Sequence, residues 1–287
     1  MAPLCIGYHV SKSMAPSKPM ETNIALYRDR IRDTKCVQIF IAGPREYKLR
    51  FNDEQAAAFA EYVKDNEIFV VAHATYLDHP WAAKTTWFIK QELKLCEKMG
   101  ISFLLHLGNQ DVDVVDDVLT HMRSEDKKVG LRHPVRIYLE TPAMMPAKSR
   151  YANVDNLVAL MKVVGEKHNV GICVDTAHIY SCGVDISGYE KAREYFTTLI
   201  DGIGADRLMI HLNDNANKLG YGKDRHERLT DGDIWRKYKD NMKASGLWSI
   251  FKLVYRYNIK TILELDLRED LLYDFQIIEL FDGDRQE

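Results

Sequence analysis

The ten histidines of this sequence are unevenly placed, because seven of them stand at or just after the end of a short apolar run. These seven are His9, His73, His79, His106, His178, His211 and His226. Carboxylates take equivalent places, namely Glu140, Asp175, Asp214, Asp224 and Glu264. Neutral imidazole with carboxylate and no thiolate is the ligand set of catalytic zinc, and it also suits manganese or iron. The residue types therefore indicate metal-assisted chemistry.

Each of these residues also has a simpler interpretation when it is taken alone. A single histidine or aspartate at the end of a strand commonly anchors a loop or caps a helix. The joint interpretation differs, because several carboxylates crowded into one cavity repel one another and need cations to stay ionised. Three histidines already suffice for one zinc ion, so a larger set indicates a cluster of ions. Five histidines and four or five carboxylates at these strand ends give about nine candidate ligands.

Eight apolar runs divide the chain and precede these residues. They begin at residues 4, 36, 68, 103, 136, 170, 208 and 261. Each run is continuously apolar rather than alternating, as expected of parallel strands that are covered on both faces. The segments between the runs predict helices. Residues 52–66 open on an asparagine cap, residues 82–100 end in a lysine-rich turn and a glycine, and residues 153–168 and 188–204 repeat the helical spacing.

Eight strand–helix units predict a single (β/α)8 barrel domain over residues 1–287, since this fold typically needs about 250 residues. A doubly wound open sheet is the alternative, but it seldom has eight such even units, and no Gly-x-Gly-x-x-Gly fingerprint follows a strand. In a barrel, the chemistry lies at the C-terminal ends of the strands. We expect His133 and His168, which precede strands, on the opposite face, and His121 in a solvated helix.

Composition limits the class of protein. The formal charge of −3 does not indicate a basic nucleic-acid-binding protein, although bound cations would change that sum. Five scattered cysteines without a Cys-x-x-Cys pair argue against a disulfide framework or a cysteine zinc site. No apolar run is long enough to cross a bilayer, and the first residues do not resemble a signal peptide. We expect an intracellular monomer, in the cytoplasm or the nucleus, that does not associate with membranes.

Six short motifs, taken in order, resemble the signature of endonuclease IV-type apurinic/apyrimidinic (AP) endonucleases. They are HATYL, the histidine that ends the fourth strand, YLET, DTAH, HLND followed by DRH, and LELD. Asp224 and His226 follow His211 by 13 and 15 residues, a spacing that matches the family. The resemblance extends from GYHVS in the first strand to the eighth strand, nearly the whole chain. It implies a barrel of eight strand–helix units with three zinc ions held by nine ligands.

The resemblance also implies how the ligands are shared. One zinc ion would be held by His73, His106 and Glu140, a second by Glu140, Asp175, His211 and Glu264, and a third by His178, Asp224 and His226. The implied reaction is hydrolysis of the phosphodiester on the 5′ side of an abasic site in double-stranded DNA. It would leave a 3′-hydroxyl and a 5′-deoxyribose phosphate, with repair of blocked 3′ ends as a further activity. We hypothesise that Glu140 is the catalytic residue that assists proton transfer.

Contacts with DNA follow from the same resemblance. Arg45, Tyr76 and Leu77 match the trio with which the family enters the minor groove and flips out the abasic nucleotide. The alternative is that Tyr76 and Leu77 merely pack their loop. Six further basic residues are candidates for contact with DNA phosphates. The alternative is that they are surface charges that contact only water. They are Lys148, Arg150, Lys218, Lys223, Arg225 and Arg228.

Departures from the family pattern occur at Lys12–Met14, Ala74–Thr75, Leu107, Leu265 and 229–233, and none of them removes a ligand. The nearest alternative function is a sugar isomerase or epimerase on a similar barrel, which typically holds one or two divalent ions. Asp224 and His226 distinguish the two, because only a third ion needs them. A DNA-damage-binding protein without turnover is the second alternative, but the presence of every ligand argues against it.

Overall fold

Eight parallel strands close into a barrel in the computed structural model, which describes residues 6–77, 81, 86–124, 135–144, 146 and 149–284. The barrel strands are β1 (Ile6–His9), β2 (Cys36–Phe40), β3 (Phe69–His73), β4 (Ser102–His106), β5 (Ile137–Glu140), β6 (Val170–Asp175), β7 (Leu208–His211) and β10 (Lys260–Leu263). Each strand coincides with a predicted apolar run, with β4 and β10 beginning one residue earlier, so the (β/α)8 prediction is confirmed and the open-sheet alternative is wrong. Cys5, His79, His133 and Lys148 lie outside the described residues.

Helices cover the outside of the barrel. They are α1 (Met20–Arg30), α2 (Asp53–Asp65), α3 (Thr86–Met99), α4 (Val112–Met122), α5 (Val154–Val164), α6 (Thr176–Ser181), α7 (Tyr189–Ile203), α8 (Gly246–Tyr257) and α9 (Arg268–Asp284). The predicted asparagine cap is present, since Asn52 Oδ1 accepts the amide hydrogen of Gln55 at 2.8 Å. The Gln55 side chain accepts the Asn52 amide hydrogen in return at 3.0 Å. This reciprocal box begins α2 at the predicted residue.

The alternation of side chains along each strand decides which residues enter the barrel. Val71, Leu104, Tyr138, Cys173 and Met209 form a buried cluster separate from the larger core between strands and helices. Residues two apart on a strand face the same side. The residues two positions further along these five strands are therefore on the inner face as well, and they are His73, His106, Glu140, Asp175 and His211. The strand period thus places these predicted ligands at one end of one cavity.

The segment after β7 contains a small sheet of its own. It forms a short antiparallel hairpin of β8 (Asp214–Asn215) and β9 (His226–Glu227). The Asp214 carboxylate accepts backbone hydrogens from Asn215, Thr230 and Ile234 at 2.8, 3.1 and 2.9 Å. Of the five carboxylates that follow predicted strands, Asp214 therefore does not face the barrel mouth, because its oxygens fix the base of this hairpin. Burial raises the pKa of Asp214 to about 7.

Two further histidines of the described residues, His168 and His121, lie where they were predicted. His168 is buried ahead of β6, and its Nε2 lies 2.8 Å from Asp116 Oδ1. His121 is exposed in the last turn of α4. No helix among the described residues is both long and apolar enough to span a membrane.

Candidate metal centre

A cavity of about 430 Å³ opens at the C-terminal ends of the barrel strands. Its lining includes His9, Gln38, Phe40, His73, Tyr76, His106, Glu140, His178, Asp224, His226, Glu264 and Asp266. Around it, three groups of side chains each bring their ligand atoms within 4.8 Å of one another. Together with Asp224, these groups contain all nine candidate ligands.

The first group joins β3, β4 and β5. Both His73 Nε2 and His106 Nε2 face Glu140 Oε2, at 3.3 and 3.2 Å. The His73 ring is oriented by its other nitrogen, because Nδ1 donates to the Ala74 carbonyl at 2.7 Å. The His106 side chain is 46% exposed whereas His73 and Glu140 are buried, so this group is open to the solvent on the His106 side.

The second group lies around His211. Its Nδ1 is 3.0 Å from Glu140 Oε1, 2.9 Å from Glu264 Oε2 and 3.9 Å from Asp175 Oδ2. Glu140 therefore presents one oxygen to the first group and the other to the second. This is the arrangement that a carboxylate bridging two metal ions requires.

The third group depends on α6 and on the hairpin. His178 Nε2 and His226 Nε2 lie 3.2 and 3.0 Å from the two oxygens of Asp224. Asp175 also takes part, with Oδ2 at 3.4 Å from His226 Nε2, while its Oδ1 caps α6 by accepting the His178 amide hydrogen at 2.9 Å. The assignment by resemblance put Asp175 in the second group alone, and the geometry brings it to the third as well.

The charges of the cluster are strongly coupled. Burial alone would raise the pKa of Glu140, but His211 and His106 hold it well below its usual range. Burial would likewise lower the pKa of His178, yet Asp175 and Asp224 raise it to about 10. Imidazole and carboxylate groups thus raise and lower one another's pKa across the cluster. The donor set of imidazole and carboxylate, with converging ligand atoms, fits metal cations.

One buried oxygen supports the fit to metal directly. Glu140 Oε2 is the only carboxylate oxygen among the buried side-chain atoms of the described residues that lack a hydrogen-bond partner. A buried charged oxygen without a donor is costly, and a bound ion is one way to satisfy such an atom. Its neighbours are the Nε2 atoms of His73 and His106, and a neutral imidazole nitrogen is a common metal ligand.

Two amide residues that hold the ligands were missed by the sequence reasoning. Asn213 Nδ2 donates to Asp175 Oδ2 at 2.8 Å and to Glu264 Oε2 at 3.1 Å. Gln38 Nε2 donates to Glu264 Oε1 at 2.6 Å. A signal for Gln38 was present, because it is the one amide in the otherwise apolar strand CVQIF, and buried polar groups need partners.

The predicted DNA-contacting residues lie on the rim. Arg45 is exposed, and the Tyr76 side chain is 45% exposed although its ring stacks on His106 with centroids 5.6 Å apart. The Tyr76 amide donates to the Pro44 carbonyl at 2.8 Å, which joins the loop of Arg45 to that of Tyr76 and Leu77. The trio therefore lies on two adjoining loops beside the cluster.

The basic residues divide into two kinds. Arg228 pairs with Asp231 at 2.6 Å and lies over the Tyr273 ring, and Arg150 pairs with Asp111. These two guanidinium groups have structural partners. Lys218, Lys223 and Arg225 are exposed along the hairpin, Lys223 with its ammonium 5.5 Å from the centroid of the Tyr221 ring. Contact with DNA phosphates therefore stays a prediction, chiefly for Lys218, Lys223 and Arg225 of the hairpin.

Comparison with known proteins identifies the family. Residues 33–270 match the family model described as a xylose isomerase-like TIM barrel. A probable AP endonuclease of African swine fever virus is 36% identical over 242 residues, which cover 81% of this chain and 79% of that protein. The chain belongs to the endonuclease IV-type AP endonuclease family.

Two further relatives support the assignment of this chain to the AP endonuclease family. A probable endonuclease 4 of Persephonella marina is 30% identical over 246 residues, with 81% of this chain and 83% of that protein covered. A crystal structure described as AsfvAP:AG superposes with a TM-score of 0.86 at 30% identity, over 98% of this chain and 99% of that one. The family expected from the motifs is thus confirmed.

Proposed function

We propose that the protein hydrolyses the phosphodiester on the 5′ side of abasic sites in duplex DNA and uses three zinc ions to do so. The products would be a 3′-hydroxyl and a 5′-deoxyribose phosphate, and blocked 3′ ends would be a second class of substrate. The observation that carries the proposal is the convergence of nine ligand side chains on one barrel mouth, with Asp224 and His226 returned to it by the hairpin. Family membership supports it independently.

The ligand assignment follows the resemblance, with Asp224 in the third set beside His178 and His226. His73, His106 and Glu140 would hold one ion, Glu140, Asp175, His211 and Glu264 a second, and His178, Asp224 and His226 a third. Bound zinc would supply Lewis-acid stabilisation of phosphate oxygens and an acidified water. Three divalent ions would change the formal charge from −3 to +3, which makes the mouth attractive to DNA although the sequence is acidic.

The side chains around the cluster would have separate roles in proton transfer, substrate approach and ligand orientation. Glu140, with its two oxygens facing different groups, is placed to hold a proton during attack on phosphorus. The half-exposed His106 side marks the direction from which a phosphodiester reaches the cluster. Gln38 and Asn213 occupy the remaining lone pairs of the carboxylates, so that these oxygens stay aimed inward.

DNA would be engaged by Arg45, Tyr76 and Leu77 from the minor groove and by Arg225 on the hairpin. An aromatic wedge lowers the cost of unstacking, which is already small where a base is missing. Tyr76 is suited to this role because its ring is exposed on one side and supported on the other by His106 and Phe40.

Removal of the Tyr76 ring tests this contact. We expect Tyr76→Ala to weaken binding to an abasic duplex about 10-fold, since stacking on an aromatic ring contributes ~1–3 kcal/mol. Affinity is measured by fluorescence anisotropy with a duplex containing one tetrahydrofuran residue, alongside metal content. Tyr257→Ala is the matched control, because Tyr257 is 38% exposed at the end of α8, away from the mouth. Equal affinity of the two variants would refute the wedge role.

Cleavage of the same tetrahydrofuran duplex tests the reaction itself. The zinc-loaded protein is expected to cut the strand once, on the 5′ side of the lesion, and to leave the undamaged duplex intact. A protein with its full metal complement that leaves the lesion strand uncut would exclude the endonuclease. One exchangeable Mg²⁺ or Mn²⁺ per chain, with turnover of a ketose or aldose, would identify a sugar isomerase instead. Lesion binding without cleavage would identify the DNA-damage-binding alternative.

A further inference from the structure

Gln38 is a buried amide at the centre of the candidate site. It lies on the inner face of β2, is 1% exposed, and stands two residues after Cys36, whose thiol is also buried. A glutamine at a barrel-interior position is costly to desolvate when its amide has no hydrogen-bond partners. The position is tolerable only because every polar atom of the side chain has a partner.

The amide oxygen fixes one histidine. Gln38 Oε1 lies 2.8 Å from His211 Nε2, and an amide oxygen can only accept, so Nε2 must carry the hydrogen. The lone pair of His211 is then on Nδ1. That nitrogen is the one that faces Glu140 Oε1 at 3.0 Å and Glu264 Oε2 at 2.9 Å.

The amide nitrogen fixes one carboxylate. Gln38 Nε2 donates to Glu264 Oε1 at 2.6 Å, so that Glu264 Oε2 is the oxygen that faces His211 Nδ1 and the Asn213 amide. The same nitrogen lies 3.4 Å from His9 Nδ1. Rotation of the amide by 180° would place its oxygen against the Glu264 carboxylate, so only one orientation satisfies both neighbours.

We propose that Gln38 is a positioning residue that sets the His211 tautomer and the orientation of Glu264, and thereby the metal retention of the second group. It reaches His211 on β7 and Glu264 after β10 from a strand that contributes no ligand itself. A residue that holds the non-ligating atom of a metal ligand typically changes metal affinity about 10–100-fold when it is removed. The inference rests on the proposed function only in that the cluster binds metal.

Two substitutions separate the two contacts. Gln38→Met keeps the length of the side chain and removes both hydrogen bonds. Gln38→Glu keeps an acceptor for His211 but replaces the donor by a second carboxylate beside Glu264. We expect Gln38→Met to lose metal about 10–100-fold more readily to a competing chelator than the wild-type protein does. Gln38→Glu is also expected to lose metal more readily, but with the His211 tautomer unchanged. Metal release is followed by mass spectrometry, and the His211 ring nitrogens by ¹⁵N NMR of histidine-labelled zinc-loaded protein, assigned with His211→Gln.

Thr34→Val is the structural control. Thr34 is buried before β2, at the opposite end of the barrel from the cluster, and its Oγ1 donates to the Ile6 carbonyl at 2.7 Å. This variant is expected to unfold at a lower temperature without any change in metal release. Gln38 would be merely structural if Gln38→Met behaved like Thr34→Val, with wild-type metal release and His211 resonances.

Failure of this inference is distinguishable from failure of the proposed reaction, because neither readout depends on DNA. A wild-type protein that retains metal and does not cut an abasic duplex contradicts the nuclease and leaves Gln38 in place. A wild-type protein that cuts the duplex, together with a Gln38→Met variant that retains metal normally, contradicts the role of Gln38 alone.

Discussion

Glu140→Gln is expected to lower kcat/KM for cleavage of an abasic duplex by about 1,000-fold or more while the barrel stays folded. Glu140 belongs to two of the three ligand groups, and its oxygens lie 3.2 Å from His106 Nε2 and 3.0 Å from His211 Nδ1. Glutamine has the same shape, but its amide nitrogen cannot bind a metal ion and it removes one negative charge. Two ions therefore lose a shared ligand at once.

Single-turnover cleavage of the tetrahydrofuran duplex measures this loss, with metal content determined on the same protein. Asp266→Asn is a matched control, because Asp266 lines the same cavity but belongs to none of the three groups. It removes the same charge from the mouth and is expected to keep cleavage within a few-fold of wild type. Cleavage by Glu140→Gln within 10-fold of wild type, with all metal retained, would show that neither bridging nor proton transfer needs Glu140.

His226→Ala is expected to release the metal ion of the third group, to lower cleavage by about 100-fold or more, and to leave the fold nearly intact. The His226 ring faces Asp224 and Asp175, at 3.0 and 3.4 Å, rather than the apolar core. The base of the hairpin that contains His226 is stabilised by contacts in which His226 takes no part. Asp214 binds three backbone amides there, and Asp274 of α9 accepts the Leu229 amide hydrogen at 2.7 Å.

Metal content per chain and thermal unfolding by circular dichroism measure the two effects of His226→Ala. His168→Ala is the control for loss of a partly structural imidazole, because His168 binds Asp116 on the opposite face of the barrel. That variant is expected to lose stability and keep its metal, the reverse of His226→Ala. Global unfolding of His226→Ala, or an unchanged metal count, would contradict the placement of this ligand.

Much of the molecule was predictable because its patterns are local. Continuous apolar runs mark parallel strands, and each of the eight runs became a barrel strand. The residue at the end of such a strand reaches the mouth of the barrel through the strand period alone. The strand pattern alone therefore predicts that five side chains reach this mouth, namely His73, His106, Glu140, Asp175 and His211.

The remaining features depend on contacts between residues far apart in the chain, about which local patterns carry no information. Asp214 and Asp224 looked equivalent in the loop after β7. The Asp214 carboxylate accepts hydrogen bonds from backbone amides. The Asp224 carboxylate faces two histidines, because the hairpin bends back over α6. Gln38 and His211 are 173 residues apart, yet one hydrogen bond between them settles which imidazole nitrogen is free. Residue types and spacing thus predicted the barrel and the candidate ligands, whereas closure of the barrel decided which atom of each candidate ligand faces the others.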